Sequence, residues 1–255
     1  MKPVLLLAAA LLLVFPTFGL AEDVGLNDVV EALERPFRAA TPSAATVRDF
    51  QAEFYQVSRL VSLDREQSGR GRVEVRFQQR PDTQLRLAQF RWLYDQPNKQ
   101  EIVSDGENLW VYMPENNQVI QSDIDSTRDA QADDPMSFLT GLGNLSRDFS
   151  ISWAAPKLDR EGNYVLQLQP RQVSSLIQAM QIVVDREAVA DLVHNNATGR
   201  RLPIFSSTVT DPNGNTTLIE FSKARVNRGI DKKSFRFMIP DGVDVVRPSD
   251  QGPGF

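Results

Sequence analysis

The sequence predicts a mainly β chain of the α+β kind: an antiparallel curved sheet or open barrel accompanied by two or three short helices. Three observations lead there. Stretch after stretch alternates apolar and polar residues with a period of two, as half-buried strands do. Turn-forming clusters such as "RPDT" and "DPNGN" separate these stretches at hairpin spacing. A helical period shows in only a few short segments, so sequential hairpins carry most of the fold.

The elements follow in chain order. Residues 1–21 read as a secretory signal peptide. Lys2 supplies the positive end, Val4 to Phe15 form an apolar run too short to span a bilayer comfortably, and small residues precede a cut after Ala21. Residues 22–247 are expected to be a single domain, and 248–255 a disordered tail. Leu26, Val29, Val30 and Leu33 share one face of an amphipathic helix that ends near Pro36. Phe50, Ala52 and Phe54 then alternate, as do Val73, Val75 and Phe77 in the stretch 69–79. "RPDT" (80–83) turns the chain into a strand over 84–94, and Asp105-Gly106 centres the next hairpin. At "DDPMSFLTGLGNL" the period changes. Asp134 can cap, Pro135 suits the first helical position, and Gly143 offers a stop. Strands are expected again at 149–153, 164–169, 180–185, 204–210, 216–226 and 234–240. Residues 186–201 have the look of an inserted helix and loop.

Composition narrows the function. The 255 residues carry a formal charge of −5, no cysteine and one histidine, His194. Disulfides, thiol nucleophiles and an acylated cysteine are thereby excluded. An acidic chain without a basic tract is a poor partner for nucleic acid. No H-E-x-x-H, G-x-S-x-G or P-loop motif occurs, so no catalytic residue, metal ligand or cofactor is expected. The acidic pair Asp133-Asp134 reads as a helix start. A hydrolase built on His194 would need a serine or carboxylate beside it in a cleft.

The stretch "FRWLYDQPNKQEIVSDGENLWVYMP" (90–114) is the most unusual. Within it, "LWVY" (109–112) is apolar on both faces of a strand. Such a strand fits where one face meets a cover and the other lines an apolar interior.

"FQAEFYQ" (50–56) follows the pattern Phe-x-Ala-x-Phe-x-Gln. "GRGRVEVR" opens the next strand, "DPMSFLTGLGNL" carries a Pro-x-x-Leu-Leu-like helix, and "FRFMIPDGVDVV" (235–246) reads as a closing strand. Taken together with residues 90–119, which carry the densest likeness, these stretches resemble the family of periplasmic outer-membrane lipoprotein carriers, the LolA family, over most of residues 26–246. The resemblance implies a half-open antiparallel β-barrel, with short helices forming a lid over an apolar cavity for the acyl chains of lipoprotein cargo. It implies a monomer that takes cargo from an inner-membrane ABC-type lipoprotein-releasing complex and gives it to a LolB-like receptor at the outer membrane.

Under that resemblance the cavity candidates are Phe50, Phe54, Phe90, Trp92, Tyr94, Trp110 and Tyr112; alternation means that not all can face inward. Met136, Phe138, Leu139 and Leu142 are the lid candidates. The family holds its lid with an arginine in the context Arg-Pro-x-x-Phe-x-Trp. Here Arg86 has the right spacing but is followed by Leu87, Arg80 keeps the proline but lies further away, and Arg91 is a third candidate. Rival readings are another lipid- or glycolipid-binding envelope protein of the same fold, such as a stress sensor, and an adaptor with a filled barrel.

Overall fold

The computed structural model describes residues 24–79, 86–123 and 141–247, leaving aside the side chains of residues 79, 86 and 87. The expected signal peptide, the turn at 80–83, the acidic pair, the lid candidates Met136, Phe138 and Leu139, and the tail lie outside the described residues.

Helix α1 spans Leu26–Glu34. Its first turn is closed by the Asp28 carboxylate, which accepts from the Gly25 N–H at 2.9 Å. It gives way to a 3-10 turn at Arg35–Phe37, where Pro36 cannot donate to a continuing helix. Val29, Ala32 and Leu33 are buried, the stripe that the 3.6-residue period marks out.

Two meanders follow. The first holds β1 (Asp49–Leu60), β2 (Arg65–Gln79), β3 (Arg86–Gln96), β4 (Gln100–Ser104), β5 (Asn108–Met113) and β6 (Gln118–Asp123). The second holds β7 (Phe149–Leu158), β8 (Tyr164–Pro170), β9 (Ala179–Val184), β10 (Ile204–Thr210) and β11 (Thr216–Val226). Antiparallel pairing of β1 with β11 joins them, with Phe54 opposite Phe221. A last strand, β12 (Asp244–Val246), returns to the far edge and pairs in parallel with β6. Among the described residues the result is a twelve-stranded sheet in the order β12-β6-β5-β4-β3-β2-β1-β11-β10-β9-β8-β7, whose edge strands do not meet. The sheet is open.

One device closes several hairpins. In "DREGN" (159–163) and "DPNGN" (211–215) the aspartate accepts from the backbone N–H two and four residues on, and the asparagine amide donates back to it. The glycine of each takes a positive φ, +84° at Gly162 and +81° at Gly214. Asp105 does the same work for β4 and β5, accepting from Glu107 and Asn108.

Strands β1 to β3 and β8 to β11 share one apolar core with α1, a short helix α2 (Leu145–Asp148) and helix α3 (Arg186–Asn195). α3 is not a peripheral insertion. Its Val189 is fully buried and Leu192 nearly so, and α3 packs beside α1.

The expected strand over 234–240 is corrected. Lys232–Phe235 forms a 3-10 turn, residues 236–240 run on without strand pairing, and the closing strand is β12. The physical reason lies in where the backbone carbonyls go. Those of Ser234 and Arg236 accept from the Arg91 side chain rather than from a neighbouring strand. Residues 227–243 thus form a strap across the outer face of the first meander, reaching the β6 edge where the Asn117 amide donates to the Gly242 carbonyl at 2.8 Å.

Candidate functional site

Cross-strand register assigns every residue of the aromatic stretch to a face, because directly opposed residues in an antiparallel pair point the same way. Trp92 stands opposite Val73 and Ile102, and Ile102 opposite Val111. Phe90 stands opposite Val75 and Ser104, and Ser104 opposite Leu109. This is the inner face, which α1, α2 and α3 cover. The outer face carries Arg91, Val103 and Trp110 in one row, and Leu93, Glu101 and Tyr112 in the next.

Five of the seven cavity candidates therefore come together: Phe50, Phe54, Phe90, Trp92 and Tyr94 all belong to the inner core. Phe54 meets Trp92 edge-on at 4.5 Å and Tyr94 at 4.8 Å between ring centroids. Phe221 lies 6.1 Å from Trp92 and 6.2 Å from Phe50. Phe77 links Phe50 to Phe37. Gly71 makes the middle of this array possible. It stands between Phe54 and Tyr94 on adjacent strands and has no side chain to part their rings. A Cβ there would also fall 1.8 Å from the Leu93 carbonyl oxygen. At the rim, the Tyr94 hydroxyl donates to Gln56 Oε1 at 2.7 Å.

Trp110 and Tyr112 are a correction. They stand on the outer face under the strap, 6.0 and 5.9 Å from the ring of Phe237. The two apolar faces of "LWVY" thus serve two covers: Leu109 and Val111 face the helices, Trp110 and Tyr112 face the strap. Phe235 is fully buried, as are Val103 and Val119 of the outer face.

Arg91 belongs to the strap as well. Its Nε donates to the Ser234 carbonyl at 2.7 Å and Nη2 to the Arg236 carbonyl at 2.9 Å, while Nη1 pairs with Glu101. It latches backbone, as the resemblance implies for one arginine, but on the face away from the helices. Arg80 lies outside the described residues, as does the side chain of Arg86.

Of the lid candidates, Leu142 is described. It is buried in the inner core on a 3-10 turn, Leu142–Asn144, that leads into α2. This segment is fastened to α1 by Glu34, a buried carboxylate. Glu34 accepts from Ser146 N–H, from Ser146 Oγ at 3.0 Å and from Arg38 Nη2 at 2.6 Å. Burial works against the charge of the Arg38 guanidinium, but hydrogen bonds to Glu34 and Glu31 outweigh it and raise its pKa. The approach at Gly143 is close: a Cβ there would lie 2.9 Å from the Phe37 carbonyl oxygen. The sequence reading offered Gly143 as a helix stop, yet the chain makes one more helical turn, α2, before β7.

Sequence reasoning missed the parts of Phe37, Phe221 and Glu34. Phe221 was legible as one more inward position of an alternating strand; Glu34 carried no local signal, since its partner Ser146 lies far along the chain. His194 is exposed on the last turn of α3 rather than set in a cleft. Among the described residues no cluster of His, Asp or Glu could hold a metal ion. An open groove of about 470 Å³ at the β1–β3 bulges is lined by Glu53, Arg70, Arg72 and Asp95 among others, a charged lining unsuited to hydrocarbon.

The family profile described as "Outer membrane lipoprotein carrier protein LolA" matches residues 45–238. The outer-membrane lipoprotein carrier protein of Methylobacillus flagellatus is 27% identical over 219 residues, 86% of this chain and 89% of that one. Its namesake in Pseudomonas paraeruginosa is 29% identical over 161 residues, 62% of this chain; the chain spans 66% of that relative's length. Among solved structures, a LolA superfamily protein of Nitrosomonas europaea is similar with a TM-score of 0.41 and 13% identity, over 84% of this chain and 98% of the other.

Proposed function

The chain belongs to the LolA family of outer membrane lipoprotein carriers, and on that premise we propose that it is a non-enzymatic periplasmic carrier that shelters lipoprotein acyl chains against its inner face. The observation that supports this reading is the continuous aromatic array Phe50–Phe54–Trp92–Tyr94–Phe221, enclosed by helices rather than by a second sheet.

The physics of transfer asks for such a surface. Each methylene buried is worth about 0.8 kcal/mol, so a lipoprotein with long chains does not leave a bilayer unaided on a useful timescale. A carrier offsets most of that cost by offering apolar area of its own. It must also release. In the closed state the rings cover one another; Phe50 and Trp92 are fully buried. Cargo therefore competes with the self-packing of the array, and edge-on ring pairs contribute about 0.5–1.5 kcal/mol each beyond area. Affinity is thereby held at a moderate level, and handover to a tighter acceptor needs no fuel.

The chain has no nucleotide-binding motif, so the first extraction is driven by a partner, an inner-membrane ABC-type complex, and a LolB-like receptor takes the cargo at the outer membrane. Export through a cleavable signal peptide places the carrier between the two. The lid comprises Met136, Phe138, Leu139 and Leu142, with Arg80 or Arg86 as its latch.

Full burial of Phe50 and Trp92 also favours a second reading, an adaptor whose interior stays filled. One experiment separates the two. Membrane vesicles carrying an acylated lipoprotein and the releasing complex are incubated with ATP and the purified protein. The carrier reading expects a soluble one-to-one complex; lipoprotein that stays in the vesicle pellet sinks it.

A further inference from the structure

Within the array one atom is out of place. Fully buried side-chain nitrogen and oxygen atoms elsewhere in the described residues are paired. Glu34 accepts from Ser146 and Arg38, Asp49 from the N–H groups of Arg228 and Gly229, and Gln89 bridges Arg76 and the Asp105 carbonyl. Trp92 Nε1 is the exception: fully buried, a donor by chemistry, and without an acceptor. Its surroundings explain why. The positions opposite it on the inner face are Val73 and Ile102, and its ring neighbours are Phe54 and Phe221. None offers a lone pair. Burying an N–H among hydrocarbon is unfavourable, and a wholly apolar side chain would carry no such cost.

We propose that Trp92 Nε1 is a ligand-binding donor, which hydrogen-bonds the ester or amide carbonyl of an acyl group when the Phe54–Trp92–Phe221 array parts to admit it. The inference rests on the carrier reading and deepens it, naming what the inner face recognises beyond hydrocarbon. Methylenes cannot accept a hydrogen bond; the polar atom that every acyl group brings with its chain is its carbonyl oxygen. The closed state leaves the donor unpaired and the loaded state pairs it. The hydrogen bond therefore adds to the affinity for acylated cargo and adds nothing for bare alkyl chains. The inner face would in this way discriminate acyl lipids from chains of equal length that lack the carbonyl.

The test compares monopalmitoylglycerol with its ether counterpart, monohexadecylglycerol, below their micelle-forming concentrations. The two lipids match in chain length, and the second has no carbonyl. Equilibrium dialysis against the purified full-length mature protein is expected to show the ester bound about fivefold more tightly than the ether, the worth of one buried hydrogen bond. Trp92→Phe is expected to bind both with equal affinity. Because Trp92→Phe also removes ring area, a second variant carries benzothienylalanine at position 92, which keeps the bicyclic shape and replaces N–H with sulfur; it too should lose the preference. In the native protein the indole N–H resonance of Trp92, assigned by its loss in Trp92→Phe, should move downfield with the ester and not with the ether. Equal binding of the two lipids by the native protein overturns the role of Trp92 while the carrier reading stands. A preference that survives in either variant overturns it too. Failure of the native protein to bind either lipid removes the carrier reading, and this inference with it.

Discussion

Arg91 shows how one residue's placement decides its meaning. It follows Phe90 and precedes Trp92, two inward aromatics, and alternation alone sends it outward. There it makes two charge-assisted hydrogen bonds to carbonyls of the strap and an ion pair with Glu101. Arg91→Ala should therefore free the strap without disturbing the aromatic array. The expected loss is about 2 kcal/mol in urea unfolding, with faster amide exchange confined to residues 232–247. Unchanged exchange there would mean that Phe235 and Phe237 hold the strap by packing alone. Asp159 offers a test of a different kind. Burial pushes its carboxyl up, but the Asn163 amide and the N–H groups of Asn163, Glu161 and Gly162 outweigh that and lower its pKa. A carboxyl whose pKa falls on folding contributes stability at pH values above its unfolded pKa, and this is lost as pH drops through the folded value. Native protein and Asp159→Ala should thus differ in melting temperature near neutral pH and converge as the pH falls below the unfolded carboxyl range and through the lowered folded value. A gap that persists in acid would assign the effect to turn geometry instead of charge.

At the scale of elements, the seam between β1 and β11 joins the two meanders, and Phe221 sits on it opposite Phe54. Phe221→Ala should cost about 3–5 kcal/mol, the range for deleting a large buried ring, and should raise amide exchange in both meanders rather than one. Loss limited to β10 and β11 would show that the halves are joined by the helices and not by the seam. Much of this architecture was legible. Local signals wrote the hairpins: "DPNGN" and Asp105-Gly106 encode their turns through short side-chain bonds and a positive φ that a reader of sequence can anticipate. α1 was legible because its apolar residues recur at the helical period. What was not legible is non-local. "SFRFMIP" alternates like a strand, and only the presence of Arg91 and Trp110 across the sheet tells the chain to run as a strap instead. The same holds for α3, which reads as an insertion until Val189 is seen inside the core, and for Glu34, whose partner is more than a hundred residues away. For the candidate site, residue types were legible and faces were not. A strand such as "LWVY" is symmetric to a reader until register says which pair looks inward.

Taken over its described residues, the molecule is an open sheet with two covers of different character. Helices α1 to α3 cover the inner face; α1 fastens to α2 through Glu34 and Ser146, and α3 packs beside α1. The strap crosses the outer face of the first meander and leads into an edge strand beside β6, which also shields that edge from pairing with another chain. If the molecule carries acyl chains, the two covers must differ in function: the helices yield to cargo, and the strap does not. Neighbouring residues of one strand can report this, since Val111 faces the helices and Trp110 the strap. A photo-activated crosslinking residue placed at position 111 should give adducts with lipoprotein acyl chains after loading from vesicles. The same residue at position 110 should give crosslinks within the strap, at or near Phe237, and no lipid adduct. Trp92 is too central to the array for this purpose, because its replacement alters the binding surface that the experiment is meant to read. Both variants should first match the native protein in circular dichroism, so that a negative result speaks to the face and not to folding. Lipid adducts at 110 and none at 111 would reverse the assignment of faces and place cargo under the strap. Adducts at both would mean that the strap lifts during loading, and the outer row of Val103, Trp110 and Tyr112 would then have to be counted as part of the lipid-facing surface.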